Sequence, residues 1–279
     1  MSQPQIEHMH HSDGYPAHVR WWRPNKPRGA VLYFHGIQSH GDWYEGSGAA
    51  LAEAGFTVLM PDRRGSGLNQ QDRGHAPSAK RLIDDARELL ATLADECGGA
   101  PAHLVGVSWG GKLCLALAGE APEQVGSISL VAPGLFPKVD LSSMEKFRVA
   151  LSLVADREKL YDIPLNDPRL FTANPDRIRF VEQNTLKLTQ VTASFLVASR
   201  RLNRLAPRFG QSAYRGPIHL LLAGHDKIID NDRTAAWLRR LSAHTRDITL
   251  YPDAHHTLEF EPSPMQFFND LCRWIAAQP

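Results

Sequence analysis

Ser108 sits between two glycines in Gly106-Val107-Ser108-Trp109-Gly110. A strand-like run, Leu104–Val107, precedes it, and a helical pattern, Lys112–Gly119, follows. A G-x-S-x-G stretch in that context is a nucleophile elbow, a sharp turn that pushes one side chain out at the edge of a sheet. Gly106 and Gly110, two residues to either side, let the chain pass close to itself. The helix N-terminus beyond offers backbone N–H groups and positive potential to an oxyanion. A serine hydroxyl is a weak nucleophile until a base takes its proton. The sequence must therefore also supply a histidine, and a carboxylate to orient it.

Thirteen histidines compete for that role. His255 and His256 follow the last strand-like run, Ile248–Tyr251, and spacing alone does not choose between them. Loops after parallel strands gather at the carboxyl edge of the sheet, where Ser108 also stands. For the carboxylate, Asp226 follows the run Ile218–Ala223 directly, in Gly224-His225-Asp226. Asp230 and Asp232 read as the cap and first turn of the next helix. His35 lies in a glycine turn and is expected to hold that turn. His8, His10 and His11 lie in a polar N-terminal stretch, Met1–Tyr15, expected to be a loose tail.

Rival chemistries leave weaker marks. Gly106 through Lys112 also reads as GxxxxGK, but a phosphate-binding loop needs Ser or Thr next and the chain has Leu113. Lys112 is then expected to be a solvated helix residue. No GxGxxG fingerprint and no HExxH helix occurs. The cysteines, Cys97, Cys114 and Cys272, are odd in number and widely spaced, so they give neither a disulfide framework nor a metal site. With 31 basic and 30 acidic side chains the net charge is +1, too even for a nucleic-acid surface. At 43% hydrophobic and 22% charged, the 279 residues are globular in composition. No apolar run approaches the roughly 20 residues of a membrane span, and the N-terminus lacks signal-peptide features. A cytoplasmic location is expected.

The elements that must hold these residues alternate. Val31–Phe34, Phe56–Met60, Leu104–Val107, Ser127–Val131, Ile218–Ala223 and Ile248–Tyr251 read as strands. Ser78–Glu96, with Leu82, Ala86, Leu89 and Leu93 on one stripe, and Asp232–Leu241 read as helices. A C-terminal helix begins at Ser263-Pro264-Met265-Gln266, which reads as a capping box. Such alternation predicts right-handed βαβ units and a mostly parallel sheet flanked by helices, an α/β fold. Residues 135–215 interrupt it, leaving core segments 1–134 and 216–279. This insert shows no convincing strand. Helices are expected from Ser142 through Leu151 and from Asn174-Pro175. Leu188, Val191, Phe195, Ala198, Leu202 and Leu205 form an amphipathic stripe stepping by 3, 4, 3, 4, 3. The insert reads as a helical cap whose stripe packs on the core and lines a substrate site. On its other face Arg200, Arg201 and Arg204, with Arg208 just beyond, suit a solvated surface or helix-end charges better than anionic headgroups.

The order Ser108, Asp226, His256 is that of an α/β-hydrolase. The chain resembles the monoacylglycerol lipase and lysophospholipase group, also called the serine aminopeptidase S33-like group. The resemblance rests on His35-Gly36 after an early strand, Asp62-Arg63-Arg64-Gly65-Ser66-Gly67 after the next, Gly106–Gly110, Gly224-His225-Asp226 and Ala254-His255-His256. It covers nearly all of the chain except the insert. It implies His256 as the catalytic histidine and the N–H groups of Ile37 and Trp109 as the oxyanion hole, with the bulk of Trp109 narrowing the pocket. In the Arg63-Arg64 turn, glycines are expected to close a tight loop and the arginines to pair with carboxylates. The implied activity is hydrolysis of a carboxylic ester with an acyl chain, needing no metal or organic cofactor. A peptidase, thioesterase or carbon–carbon hydrolase could use the same triad, and a non-catalytic binding protein could keep the scaffold. Nucleic acid is not an expected partner; weak peripheral membrane contact stays open.

Overall fold

The computed structural model of the chain describes residues 2–241 and 245–279; Met1, the first residue of the N-terminal stretch, lies outside them. Mostly apolar runs without polar alternation are strands covered on both faces. Every residue of Phe56–Pro61 and Ala102–Val107 is accordingly buried. In chain order the elements are β1 (Gln5–His10), β2 (Pro16–Trp22), β3 (Gly29–Phe34), α1 (Glu45–Glu53), β4 (Phe56–Pro61), α2 (Ala79–Glu96), β5 (Ala102–Val107), α3 (Gly110–Glu120) and β6 (Val125–Val131). The insert carries α4 (Ser143–Ala155), β7 (Leu160–Asp162), α5 (Pro175–Gln183), β8 (Gln190–Thr192) and α6 (Ala193–Asn203). The chain closes with β9 (Ile218–Ala223), α7 (Asn231–Arg239), β10 (Arg246–Tyr251) and α8 (Met265–Ala276).

An eight-stranded sheet runs β1-β2-β4-β3-β5-β6-β9-β10. From β4 to β10 all neighbours are parallel, and β1 and β2 add an antiparallel hairpin at one edge. With helices on its flanks, this is the α/β-hydrolase fold. The strand order reverses between β3 and β5, and such a switch point opens a crevice at the carboxyl ends of the strands. Phe34 stands opposite Gly106 there. The loop after β3 therefore leaves the sheet beside the loop that carries Ser108. On the other side Ala223 pairs with Tyr251, which brings the loops after β9 and β10 together.

Four expectations need correction here. The N-terminal stretch is not a tail: β1 pairs along its length with β2, His8 facing His18 with ring centroids 4.1 Å apart. Its polar composition suits an exposed edge strand, which must discourage pairing with other chains. His11 is buried against Glu88 at 2.7 Å, and His11, Asp85 and Glu88 are the one cluster of three metal-type ligands among the described residues. Arg64 and Arg81 already bond both carboxylates. Second, the insert does contain strands, the antiparallel pair β7–β8. Leu188 and Val191 therefore precede α6 rather than lie on it. Third, the stripe from Leu188 to Leu202 is buried, and α6 lays it against α2 and α3 rather than over a cavity. Fourth, the Ser263 capping box is not formed: α8 starts at Met265 without a side-chain cap. The capping box at Ser142 of α4 is present, with Glu145 returning the bond.

Candidate active site

Ser108 joins β5 to α3 with φ = 51°, a left-handed conformation that a side chain adopts at a cost of about 1–2 kcal/mol. The turn is over-determined around it. Ser108 N–H donates to Val131 O at 2.8 Å, and Gly134 N–H donates to Ser108 O at 2.7 Å. Both elbow glycines are required by space. A Cβ on Gly106 would stand 2.6 Å from Cys114 Sγ and 2.7 Å from Gly111 Cα. A Cβ on Gly110 would stand 2.3 Å from Phe34 O and 2.8 Å from His35 O. Helix α3 is thus pressed onto the end of β3, and the following loop runs alongside: a Cβ on Gly36 would lie 3.5 Å from Ser108 Cβ. The hydrogen bonds that build the elbow use the amides of Ser108, Gly111, Lys112 and Gly134 and leave those of Ile37 and Trp109 out. Ile37, Ser108 and Trp109 line one cavity of about 740 Å³.

Asp226 and His256 meet as the register of β9 and β10 requires. Gly224 N–H donates to Tyr251 O at 2.8 Å, and His225 N–H to Ala254 O at 2.9 Å. His256 Nδ1 is 2.8 Å from Asp226 Oδ2, with both side chains buried. Asp226 Oδ1 accepts the amides of Ile228 at 2.8 Å and Ile229 at 2.9 Å. Burial pushes the Asp226 carboxyl up, but His256 and these amides outweigh it and hold it below its ordinary range. His256 Nε2 is buried and has no hydrogen-bond partner among the described residues, so the Ser108 hydroxyl is not bonded to it in this state. Catalytic hydrogen bonds are commonly long before substrate binds. Phe171 stands edge-on to the imidazole at 6.1 Å. The turn after His256 is anchored by Glu259, which accepts the amide of Ser47 at 3.2 Å and also its hydroxyl. Burial raises the Glu259 carboxyl to about 7.

The competing residues sort themselves out. His255 bonds Glu261, through its amide at 2.8 Å and Nδ1 at 3.2 Å, and not Asp226. Asp230 caps α7 by accepting Arg233 N–H at 2.9 Å, and Asp232 lies in its first turn. His35 holds its turn: Nδ1 bonds Gly36 O at 2.7 Å while Nε2 accepts Arg63 N–H at 2.9 Å. Burial, then Arg63, keeps that imidazole neutral. Arg64 pairs with Asp85 through two 2.8 Å bonds and with Asp13, as expected.

Arg63 and Lys112 depart from the sequence reading. Among the described residues Arg63 pairs with no carboxylate. Its guanidinium lies over the rings of Trp109 at 4.8 Å and Phe195 at 4.7 Å, and donates to Ile37 O at 3.0 Å. Burial lowers it to about 9. Lys112 is not solvated; it is 7% exposed. It lines the cavity and donates to Ser199 Oγ on α6 at 3.2 Å, an oxygen that also accepts Trp109 Nε1–H at 2.9 Å. Burial pushes its ammonium down to about 7, against the pull of Asp140. The insert reaches the cavity through Val149 and Leu153 of α4 and Leu196 and Val197 of α6, a different face from the expected stripe.

Residues 25–263 match the family described as serine aminopeptidase, S33. An uncharacterised abhydrolase domain-containing protein of Dictyostelium discoideum is 26% identical over 95% of this chain, which spans 28% of that protein's length. The monoglyceride lipase of Homo sapiens is 21% identical over 97% of this chain and 90% of its own. A solved structure of a soluble variant of the Saccharomyces cerevisiae monoglyceride lipase, in complex with a substrate analogue, superposes with a TM-score of 0.88 at 17% identity. That match covers 99% of this chain and 96% of the other, and at such identity it speaks to the fold alone.

Proposed function

The chain belongs to the serine aminopeptidase S33 family of α/β-hydrolases and is similar to monoglyceride lipases, and from that premise we propose that it cleaves carboxylic esters through an acyl-enzyme on Ser108. The observation that carries this reading is the buried Asp226–His256 pair whose Nε2 is unpaired, set at the same sheet edge as a strained serine. In the proposed cycle the Ser108 hydroxyl attacks the ester carbonyl and His256 Nε2 takes its proton. Asp226 fixes the tautomer that leaves Nε2 free and faces the imidazolium. The amides of Ile37 and Trp109 receive the oxyanion. His256 then protonates the leaving alcohol, and water repeats the steps on the acyl-enzyme.

The insert acts as the cap, with residues 135–215 closing over the acyl group; the apolar lining from α4 and α6 supports this. Asp140 is the one carboxylate on the described lining and is paired with Lys146, which supports an ester over a peptide with a free amine. Met144, Phe147, Leu151 and Val154 form an exposed apolar stripe on α4, which supports weak peripheral contact with a lipid surface. Among the described residues no helix is long and apolar enough to cross a membrane.

Peptide mass spectrometry after exposure to a fluorophosphonate probe tests the nucleophile. One adduct on Ser108, absent from Ser108→Ala, is expected, with ester turnover in the variant falling to the ~10³–10⁴-fold over water that binding and oxyanion contacts leave. A folded wild type that takes no adduct, or a variant that keeps its turnover, overturns the assignment.

A further inference from the structure

Lys112 is a buried amine that forms no ion pair among the described residues; Asp140, whose charge reaches it, is bonded to Lys146. It lies one helical turn beyond Ser108, on the same cavity, and its amine meets a hydroxyl rather than a carboxylate. Burying an unpaired ammonium is unfavourable, and removing an ion from water is offset only by a partner charge in good geometry. The lining is predominantly basic: Lys112, Lys146, Arg200, Arg204 and Arg233 stand against one carboxylate, Asp140. Lys146 already neutralises Asp140, and that is the one ion pair on the described lining. Arg233 is turned onto the ring of Phe136, 5.1 Å away. A pocket built only for a neutral acylglycerol would gain nothing from a cation one turn from the nucleophile. Much of the rest of the lining, including Leu135, Val149, Leu153, Ile163, Leu165 and Leu196, is hydrocarbon and suits a short chain.

We propose that this site selects esters that carry a negative charge, a carboxylate or a phosphate, whose anion is received by Lys112 with Arg200 and Arg204 at the rim. The proposal rests on the reading of the chain as a Ser108 ester hydrolase and narrows its substrate class. The anion supplies the counter-charge that Lys112 lacks, displacing its bond to Ser199 Oγ, while the hydrocarbon between anion and carbonyl lies on the apolar lining. The arginines read from sequence as a solvated face take part through Arg200 and Arg204, which border the cavity; Arg201 and Arg208 do not.

Two matched pairs of substrates test it. p-Nitrophenyl hexanoate against mono-p-nitrophenyl adipate places a carboxylate at the end of the acyl chain. 1-Hexanoylglycerol against 1-hexanoylglycerol 3-phosphate places a phosphate on the alcohol. In the wild type, kcat/KM for the charged member of at least one pair is expected to exceed that of its neutral partner tenfold or more, and the pair that responds identifies the source of the anion. Lys112→Met is expected to bring that ratio towards one, and Lys112→Arg to keep it. A wild type that prefers neither charged ester overturns the proposal, and so does a Lys112→Met protein in which both members of a pair lose the same factor. Turnover of none of the four substrates, with no fluorophosphonate adduct, overturns the ester reading itself and is distinct from turnover without selectivity.

Discussion

Replacing Asp226 with asparagine keeps the side chain's size and exchanges one acceptor for a donor. Oδ1 of Asp226 is fixed by the amides of Ile228 and Ile229, both donors. A carboxamide at this position must keep its oxygen on that side and turn its NH2 towards His256. Nδ1 of His256, 2.8 Å away, can then only accept, which moves the single imidazole proton to Nε2. That tautomer cannot take the proton of Ser108, and the imidazolium of the transition state also loses the anion facing it. The expected loss is about 10³–10⁴ in kcat/KM, roughly 4–5.5 kcal/mol of transition-state stabilisation at about 1.36 kcal/mol per tenfold. The fold should survive. Because the Asp226 carboxyl is held below its ordinary range, it contributes stability that is present above the unfolded value and lost as pH falls through the folded one. The gap in Tm between wild type and Asp226→Asn should therefore be visible near neutrality and close at pH below about 4. Turnover of p-nitrophenyl butyrate and the rate of fluorophosphonate labelling read the first effect, and circular dichroism melts read the second. A folded variant that keeps more than a tenth of wild-type kcat/KM refutes the tautomer reasoning. An equal loss in Asp230→Asn does too, since asparagine caps a helix as well as aspartate does.

Gly110→Ala should weaken both stability and turnover. Its Cβ would overlap Phe34 O, forcing α3 and the β3 loop apart, at about 1–3 kcal/mol for overpacking and about 10²-fold in rate for a displacement near 1 Å; a variant with wild-type Tm and turnover would contradict that packing. Glu259→Gln should change how stability depends on pH. With its folded value raised by burial to about 7, wild-type Glu259 favours the native state fully below the unfolded value of 4.5 and loses that contribution as pH rises to about 7. Urea midpoints should therefore move in favour of the variant, relative to wild type, between pH 5 and pH 8, and parallel midpoints at the two pH values would refute a buried proton on Glu259.

The parts of the fold that were legible are those whose pattern is set locally. Ile218–Ala223 is read to the residue because a strand buried on both faces must be continuously apolar. Ser108 is read because the elbow needs glycine at two fixed offsets, and the contacts at Gly106 and Gly110 show why. His256 could be separated from His255 only by the resemblance; the structure separates them through Glu261, a partner six residues along the chain from His255. What stayed hidden depends on distant partners. β1 has no apolar face and is placed only by its pairing with β2. Arg63 reads like its neighbour Arg64, yet one meets Asp85 and the other two aromatic rings and a carbonyl. Lys112 looks solvated because its burial comes from α6, which is remote in sequence. The GxxxxGK pattern did single it out, though for a phosphate loop that Leu113 forbids.

The placement of β9 beside β6 has a consequence for synthesis on the ribosome. β6 emerges with its inner neighbour β5 already made, but the strand that covers its other side follows the whole insert. At about 5–20 residues per second, that delay of roughly 85 residues lasts roughly 4–17 s. Throughout it β6 presents an unpaired edge to other nascent chains. Ser108, the proposed nucleophile, is also translated long before Asp226 and His256, so under the proposed mechanism the unfinished chain holds a serine with no base to activate it. Closure of the sheet and the meeting of Ser108 with Asp226 and His256 thus both wait for β9, β10 and the loops that follow them.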